Sequence, residues 1–292
     1  MRRIVEPWDV SVRPSMRVCV EPWDGPALRQ VVADPWLGRR LRFTVLPVAN
    51  PDAFAANLAR LARGERAHQR GNAAGVDLNR NFPRIPGARS WHPFSGSAWR
   101  RSPHYAGPHA LSEPEARAVV ETAAGASPRL ALGFHSFGEL LLYPWAHTAA
   151  PNPRVADYMA LGRAFRAGQG PSPWRVGPSF GFYPVIGDLD DFLDAELGTL
   201  AFTVEVGRPS ARLLLSRAAL NPFWWMNAPD AEGALAAVVP GVMSLLRAVE
   251  LAPQADPPEL PRTPREDLPG SCRAPGLPTR PLSASAPSCS DV

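Results

Sequence analysis

Three short apolar runs constrain this chain more than any other feature. Residues 41–48, 130–134 and 200–206 are rich in Leu, Val, Phe and Ala, and none exceeds eight residues. Runs of that length read as buried strands rather than buried helices. Between them, residues 112–124 and 155–167 repeat apolar positions at helical spacing. Strands alternating with helices predict an α/β fold, a mixed central β-sheet with helices on both faces. In such sheets functional groups gather beyond the C-terminal ends of the strands. The second run delivers His135-Ser136 there, and the third delivers Glu205.

Smaller signals fill in the chain. Asn50-Pro51-Asp52 reads as a turn, followed by a short helix or loop over 53–66. Ser112-Glu113-Pro114-Glu115 predicts a helix start, with Ser112 as cap and Glu115 closing a capping box. Residues 140–145 are apolar again, and 231–251 predict a helix with a kink or break at Pro240. The first forty residues are unpatterned and repeat Val-Glu-Pro-Trp-Asp at 5–9 and 20–24. Residues 253–292 hold ten Pro without apolar periodicity and predict a disordered tail. The expected organisation is an atypical segment at 1–40, one domain at 41–252 and the tail.

Composition excludes several classes. A chain of 292 residues, 45% hydrophobic, supports one sizeable core. Every basic residue is Arg, and no basic run interleaved with aromatics argues for nucleic acid. No apolar run reaches the roughly 18 residues of a membrane span, and no signal peptide precedes residue 10, so a cytoplasmic location is the default expectation. Oligomeric state is left open. Gly177-x-Ser179-x-Gly181 matches a serine-hydrolase elbow, but no His follows His147, so the required order of triad residues fails.

Two features carry chemistry. Asn79-Arg80-Asn81 places a planar guanidinium fork and amide donors in one turn, a receptor for a small anionic group. A lone His at a strand end is most often structural. A carboxylate at an apolar strand end is different, because desolvation raises its pKa into the range of a general base.

Taken in order, Asn50-Pro51-Asp52, residues 75–82, residues 112–115, His135-Ser136 with Leu142-Tyr143-Pro144-Trp145, and Phe202-Thr203-Val204-Glu205 resemble the zinc metallocarboxypeptidases of the carboxypeptidase A type, over about residues 40–250. The resemblance implies a Zn2+ cofactor and a peptide or protein C-terminus as substrate. It implies that Asn79 and Arg80 bind the terminal carboxylate and that Arg70, with Arg66 competing, stabilises the oxyanion. His135 becomes the third zinc ligand, Glu205 the general base, and Tyr183 the residue that closes over substrate. Asp190 falls where members preferring basic terminal residues carry Asp; a solvated Asp190-Asp191 pair is the plain alternative.

One part of the pattern is missing. The family's first two zinc ligands come from a His-x-x-Glu motif upstream of Asn-Pro-Asp, and the first His in this chain is His68. Cys19 and Glu21 lie near the expected place with the wrong spacing, and His104 and His109 read as surface residues. Three expectations stay open: an incomplete or mis-started copy of an enzyme that hydrolyses the terminal peptide bond, which the unpatterned first forty residues and the retained Arg70, Asn79, Arg80, His135, Tyr183 and Glu205 favour; a non-catalytic relative that keeps the carboxylate receptor; or a rebuilt metal site. The sheet is expected to lack its first elements, leaving a flank uncovered and the chain poorly soluble.

Overall fold

Alternation along two strands divides the core. The computed structural model describes residues 16–20, 31, 33–171, 174–208, 217–227 and 230–251. In chain order the elements that frame the site are β1 (Met16–Val20), α1 (Pro35–Arg40), β2 (Leu41–Val45), α2 (Pro51–Ala62), α3 (Pro114–Ala126), β3 (Leu130–His135), β4 (Leu140–Tyr143), α4 (Val155–Gly168), β5 (Arg175–Pro178), α5 (Leu189–Leu197), β6 (Leu200–Glu205), α6 (Pro222–Met226) and α7 (Ala231–Leu251). The sheet order is β2-β1-β3-β6-β4-β5, parallel throughout except for the β4–β6 pair.

Successive side chains on a strand point to opposite faces. Leu130, Leu132, Phe202 and Val204 enter a core built with Tyr158, Leu161 and Phe165 of α4 and Val242, Leu245 and Leu246 of α7. Ala131 and Ala201, one residue out of step, enter a second core with Val119 and Ala123 of α3 and Phe192 and Leu193 of α5. The same parity puts Gly133 and His135, with Thr203 and Glu205, on the α3/α5 face.

The α/β sheet with helices on both faces is as expected, and several details differ. Met16–Val20, in the segment set apart as atypical, forms a strand between β2 and β3. Residues 1–15, 21–30 and the tail from 252 lie outside the described residues. Asn50-Pro51-Asp52 opens α2 rather than forming a free turn: the Asn50 side chain accepts from the Ala53 N–H, and Pro51 takes the first helical position. The capping box at Ser112 does not form. Glu113 is the N-cap of α3, without a side-chain cap bond. The Ser112 hydroxyl donates instead to Glu113 Oε1 at 2.7 Å and accepts from Asn81 Nδ2 at 2.9 Å. Helix α7 runs unbroken past Pro240, where Gly168 of α4 packs against the Pro240 carbonyl so closely that a Cβ would lie 2.4 Å from it.

A buried ionic knot joins α4, α5 and β6. Arg154 pairs with Asp194 and donates to Gly198 O at 2.7 Å, while Tyr158 and Asn152 donate to the same carboxylate at 2.7 and 2.8 Å. Breaking a buried pair from one side strands its partner. We expect Asp194→Ala to cost about 3–5 kcal/mol, read as a lowered urea midpoint. A cost below about 1 kcal/mol would show that the knot is not holding α5 in place.

Candidate active site

The parallel register of β3 and β6 sets the site. His135 and Glu205 are direct partners across the two strands, so both side chains leave the same face at the C-terminal end. Glu205 is 8% exposed, and its Oε2 has no hydrogen-bond partner. Burial pushes its carboxyl up from 4.5 to about 8, against the pull of Arg70 and with a further push from Asp190. Burial pushes His135 down to about 4, helped by the charges of Arg70 and Arg80, so the imidazole is neutral at neutral pH.

Asp77 organises the cationic side. Its carboxylate is buried and accepts from Arg70 Nε at 2.6 Å and faces His104 Nδ1 at 3.2 Å, with Arg80 Nε at 4.0 Å. Burial alone would raise Asp77, but Arg70, with His104 and Arg80, holds it well below the usual carboxylate range. Arg70 is also fixed through its backbone, because the Asn50 amide donates to Arg70 O at 3.0 Å. The competing candidate, Arg66, is exposed and makes no described contact with the site.

Arg80 is fully buried. Its Nε and Nη2 donate to Phe94 O at 2.9 and 2.8 Å, and Nη1 donates to Asn79 O at 2.6 Å. A guanidinium has five N–H donors, so one remains on each terminal nitrogen, the geometry that grips a carboxylate. Asn79 turns its Oδ1 to the Leu189 N–H at 3.1 Å, which leaves its amide NH2 as a donor with no acceptor among the described residues. Asn81 faces the other way: its Nδ2 donates to Ala106 O, His109 O and Ser112 Oγ, latching the loop below. Only two of the three residues in that turn are free to meet a ligand. Gly187 lies against this turn with φ +77°, and a Cβ there would fall 2.5 Å from Arg80 O.

Tyr183 covers Arg80. The Arg80 Cζ sits 5.9 Å from the Tyr183 ring, which stacks on His92 and meets Phe94 edge-on. Asp190 is 3% exposed and is no solvated turn residue. It accepts from the Thr203 hydroxyl at 2.7 Å, one step deeper on the face that carries Glu205. Gly133, level with Thr203 on β3, adds no side chain there. Asp191 is engaged elsewhere, accepting from the Ala146 and His147 N–H groups. Asp190 is thereby held beside Thr203, on the sheet face that carries Glu205 and opposite a position without a side chain.

The metal ligands do not assemble. No group of three His, Cys, Asp or Glu converges among the described residues. Cys19 is level with Ala131 in the parallel register, four residues short of His135. That is about 13 Å along the strand, too far for a shared ion. His109 is exposed, as expected of a surface residue, whereas His104 is turned in against Asp77. The described residues therefore do not fit a zinc centre with three protein ligands.

The sequence profile of the zinc carboxypeptidases matches residues 34–229, two thirds of the chain. The chain belongs to the zinc carboxypeptidase family. This carboxypeptidase-family chain is 33% identical over 150 residues to carboxypeptidase O of Bos taurus, covering 48% of this chain and 38% of the bovine protein. It is 31% identical over 179 residues to carboxypeptidase B of Astacus astacus, covering 57% of each. It spans well under two thirds of the curated relatives it matches. Among solved structures, bovine thrombin-activatable fibrinolysis inhibitor, in complex with tick carboxypeptidase inhibitor, shares its fold at TM-score 0.61 and 18% identity, covering 80% of this chain and 82% of the other. Carboxypeptidase A of Helicoverpa armigera does so at TM-score 0.59 and 20% identity, covering 82% and 62%.

Two expected outcomes follow from the charges. The folded chain keeps a proton on Glu205 that the unfolded chain releases between pH 4.5 and about 8. Its raised pKa therefore contributes a loss of stability to metal-free protein as pH rises through that window, by up to about 4–5 kcal/mol, opposed up to about pH 6.5 by His135, whose lowered pKa works the other way. Glu205→Gln should flatten this loss in chelator-treated protein; an unchanged slope would contradict it. His104→Ala should cost about 1 kcal/mol in the native background and under half that in Asp77→Asn protein, because the two residues act through one bond. Full additivity in that double-mutant cycle would separate them.

Proposed function

We propose that this chain recognises the C-terminus of a peptide, holding the terminal carboxylate on Asn79 and Arg80 and a basic terminal side chain over Asp190. The observation that carries this reading is the orientation of Asn79 and Arg80. One amide NH2 and two guanidinium N–H groups remain available after every described internal bond is counted. Asp190, buried and a few ångströms from Thr203, supplies the complementary charge for Lys, Arg or another amine. Tyr183, already packed over Arg80, would cover the bound end.

A second reading, hydrolysis of the terminal peptide bond, is favoured by one observation: Glu205 keeps an unpartnered oxygen and a carboxyl raised to about 8. Arg70 stands close enough to lower that carboxyl's pKa and is fixed at backbone and side chain, as an oxyanion partner must be. Recognition does not require a metal, whereas hydrolysis in this family does.

Calorimetric titration separates the two. Hippuryl-arginine should bind, and its C-terminal amide should bind at least about tenfold more weakly, because the charge-assisted bonds to Arg80 are lost. Asp190→Asn should cost about tenfold for hippuryl-arginine and little for hippuryl-phenylalanine. Equal binding of acid and amide would overturn the recognition reading. Stoichiometric zinc in purified protein, with release of arginine that Glu205→Gln abolishes, would establish hydrolysis; absence of both would exclude it for this chain.

A further inference from the structure

Between Asp77 and Glu113 the chain carries five Arg and not one Asp or Glu, although it holds 27 acidic residues in all. The same stretch exposes large aromatics. Trp91 is wholly exposed, Trp99 is 66% exposed and Phe94 48%. Arg89, Arg100 and Arg101 of the same stretch are exposed as well, and none has an acidic partner among the described residues. Arg100 lies over the face of Tyr105, 5.8 Å from its centroid.

The backbone under these side chains is held. A turn closes from Trp99 O to the Ser102 N–H, with Arg100 and Arg101 at its tip. Ser97 donates to His104 O and accepts from the Ala106 N–H at 2.8 and 2.9 Å. The Ile186 N–H donates to Ser95 O, tying the stretch to the segment that carries Tyr183. Exposed Trp and Arg on a fixed backbone are the residue types that dominate binding surfaces.

This surface is continuous with the carboxylate grip. Phe94 supplies the carbonyl that takes two N–H bonds from Arg80, and its ring lies against Tyr183. His92, next to Trp91, stacks on Tyr183 from another side. A peptide whose last residue sits between Arg80 and Tyr183 must leave the site past some part of its rim, and this part of the rim is built onto the grip itself.

We propose that Trp91, Phe94 and Trp99, with Arg89, Arg100 and Arg101, form a docking surface for the acidic body of the peptide whose C-terminus the site holds. The inference rests on the recognition reading above and adds to it the chemistry of the residues upstream of the terminus. Cations without an acidic partner among the described residues select acidic residues, and the aromatics give those residues' neighbours a face to pack on. Continuity with a carboxylate receptor favours a peptide over a nucleic acid as occupant.

The test is calorimetry on the full chain carrying Glu205→Gln, which prevents turnover. Decapeptides ending in Arg carry either Glu-Ser or Gly-Ser upstream, each as free acid and as amide. The acidic peptide should bind about tenfold tighter than the neutral one at 50 mM salt, since three exposed ion pairs together account for about that factor, and the advantage should shrink at 0.5 M salt. Arg89→Ser/Arg100→Ser/Arg101→Ser should erase the advantage and leave the neutral peptide's affinity within about twofold. Trp91→Ser/Trp99→Ser should weaken both peptides. Equal binding of the acidic and neutral peptides to the unmutated surface, or an advantage that survives the triple change, would overturn the proposal. So would an oligothymidylate that binds more tightly than the acidic peptide and displaces it. If the acid and amide forms bind alike while the Glu advantage persists, the carboxylate grip fails and the docking surface stands.

Discussion

The carboxylate of Asp77 is the interaction on which the site depends. Its N–H is tied to Tyr105 O at 2.8 Å, so the residue is fixed from both ends. Around its carboxylate stand Arg70, Arg80 and His104. Burying a guanidinium is costly unless a carboxylate and further acceptors surround it. Asp77 and the Phe94 carbonyl meet that demand, which lets Arg80 sit fully buried with two N–H groups not used by the described internal bonds. Without that charge, the buried Arg80 guanidinium would lose its nearest compensating carboxylate and Arg70 its ion-pair partner.

The sheet supplies the other half by placement alone. Parity along β3 and β6 puts Gly133, Thr203, His135 and Glu205 on one face, and α5 brings Asp190 onto Thr203. Two buried acids in one site are thereby driven apart. Asp77, among cations, stays ionised, while Glu205, desolvated and near Asp190, is pushed up to about 8. Separation of two carboxylates by environment is a recurrent way to obtain an anion and a proton acceptor in one site.

Much of this was legible in the sequence, and the remainder has physical reasons for being hidden. The buried strands announced themselves as short apolar runs, and their polar ends located His135 and Glu205. The turn at 78–81 read as a receptor for a small anionic group made of all three residues, yet only the fold shows that Asn81 is a latch spent on internal acceptors. Asp77 and His104 had no signal, because a contact across 27 residues of loop leaves no local pattern. Ser112 carried a helix-cap signature that the demand of Asn81 for an acceptor overrode. Strand β1 was hidden in an unpatterned segment, since its place between β2 and β3 is a matter of long-range pairing. Cys19, a candidate ligand by position in the chain, is excluded by that same pairing.

The most direct measurement is a crystal structure of the chain with hippuryl-arginine bound. The account predicts the ligand carboxylate on the Asn79 amide and the outer edge of Arg80, with its guanidinium within hydrogen-bond distance of Asp190 below Glu205. A carboxylate bound elsewhere, or an arginine side chain directed away from Asp190, would contradict it.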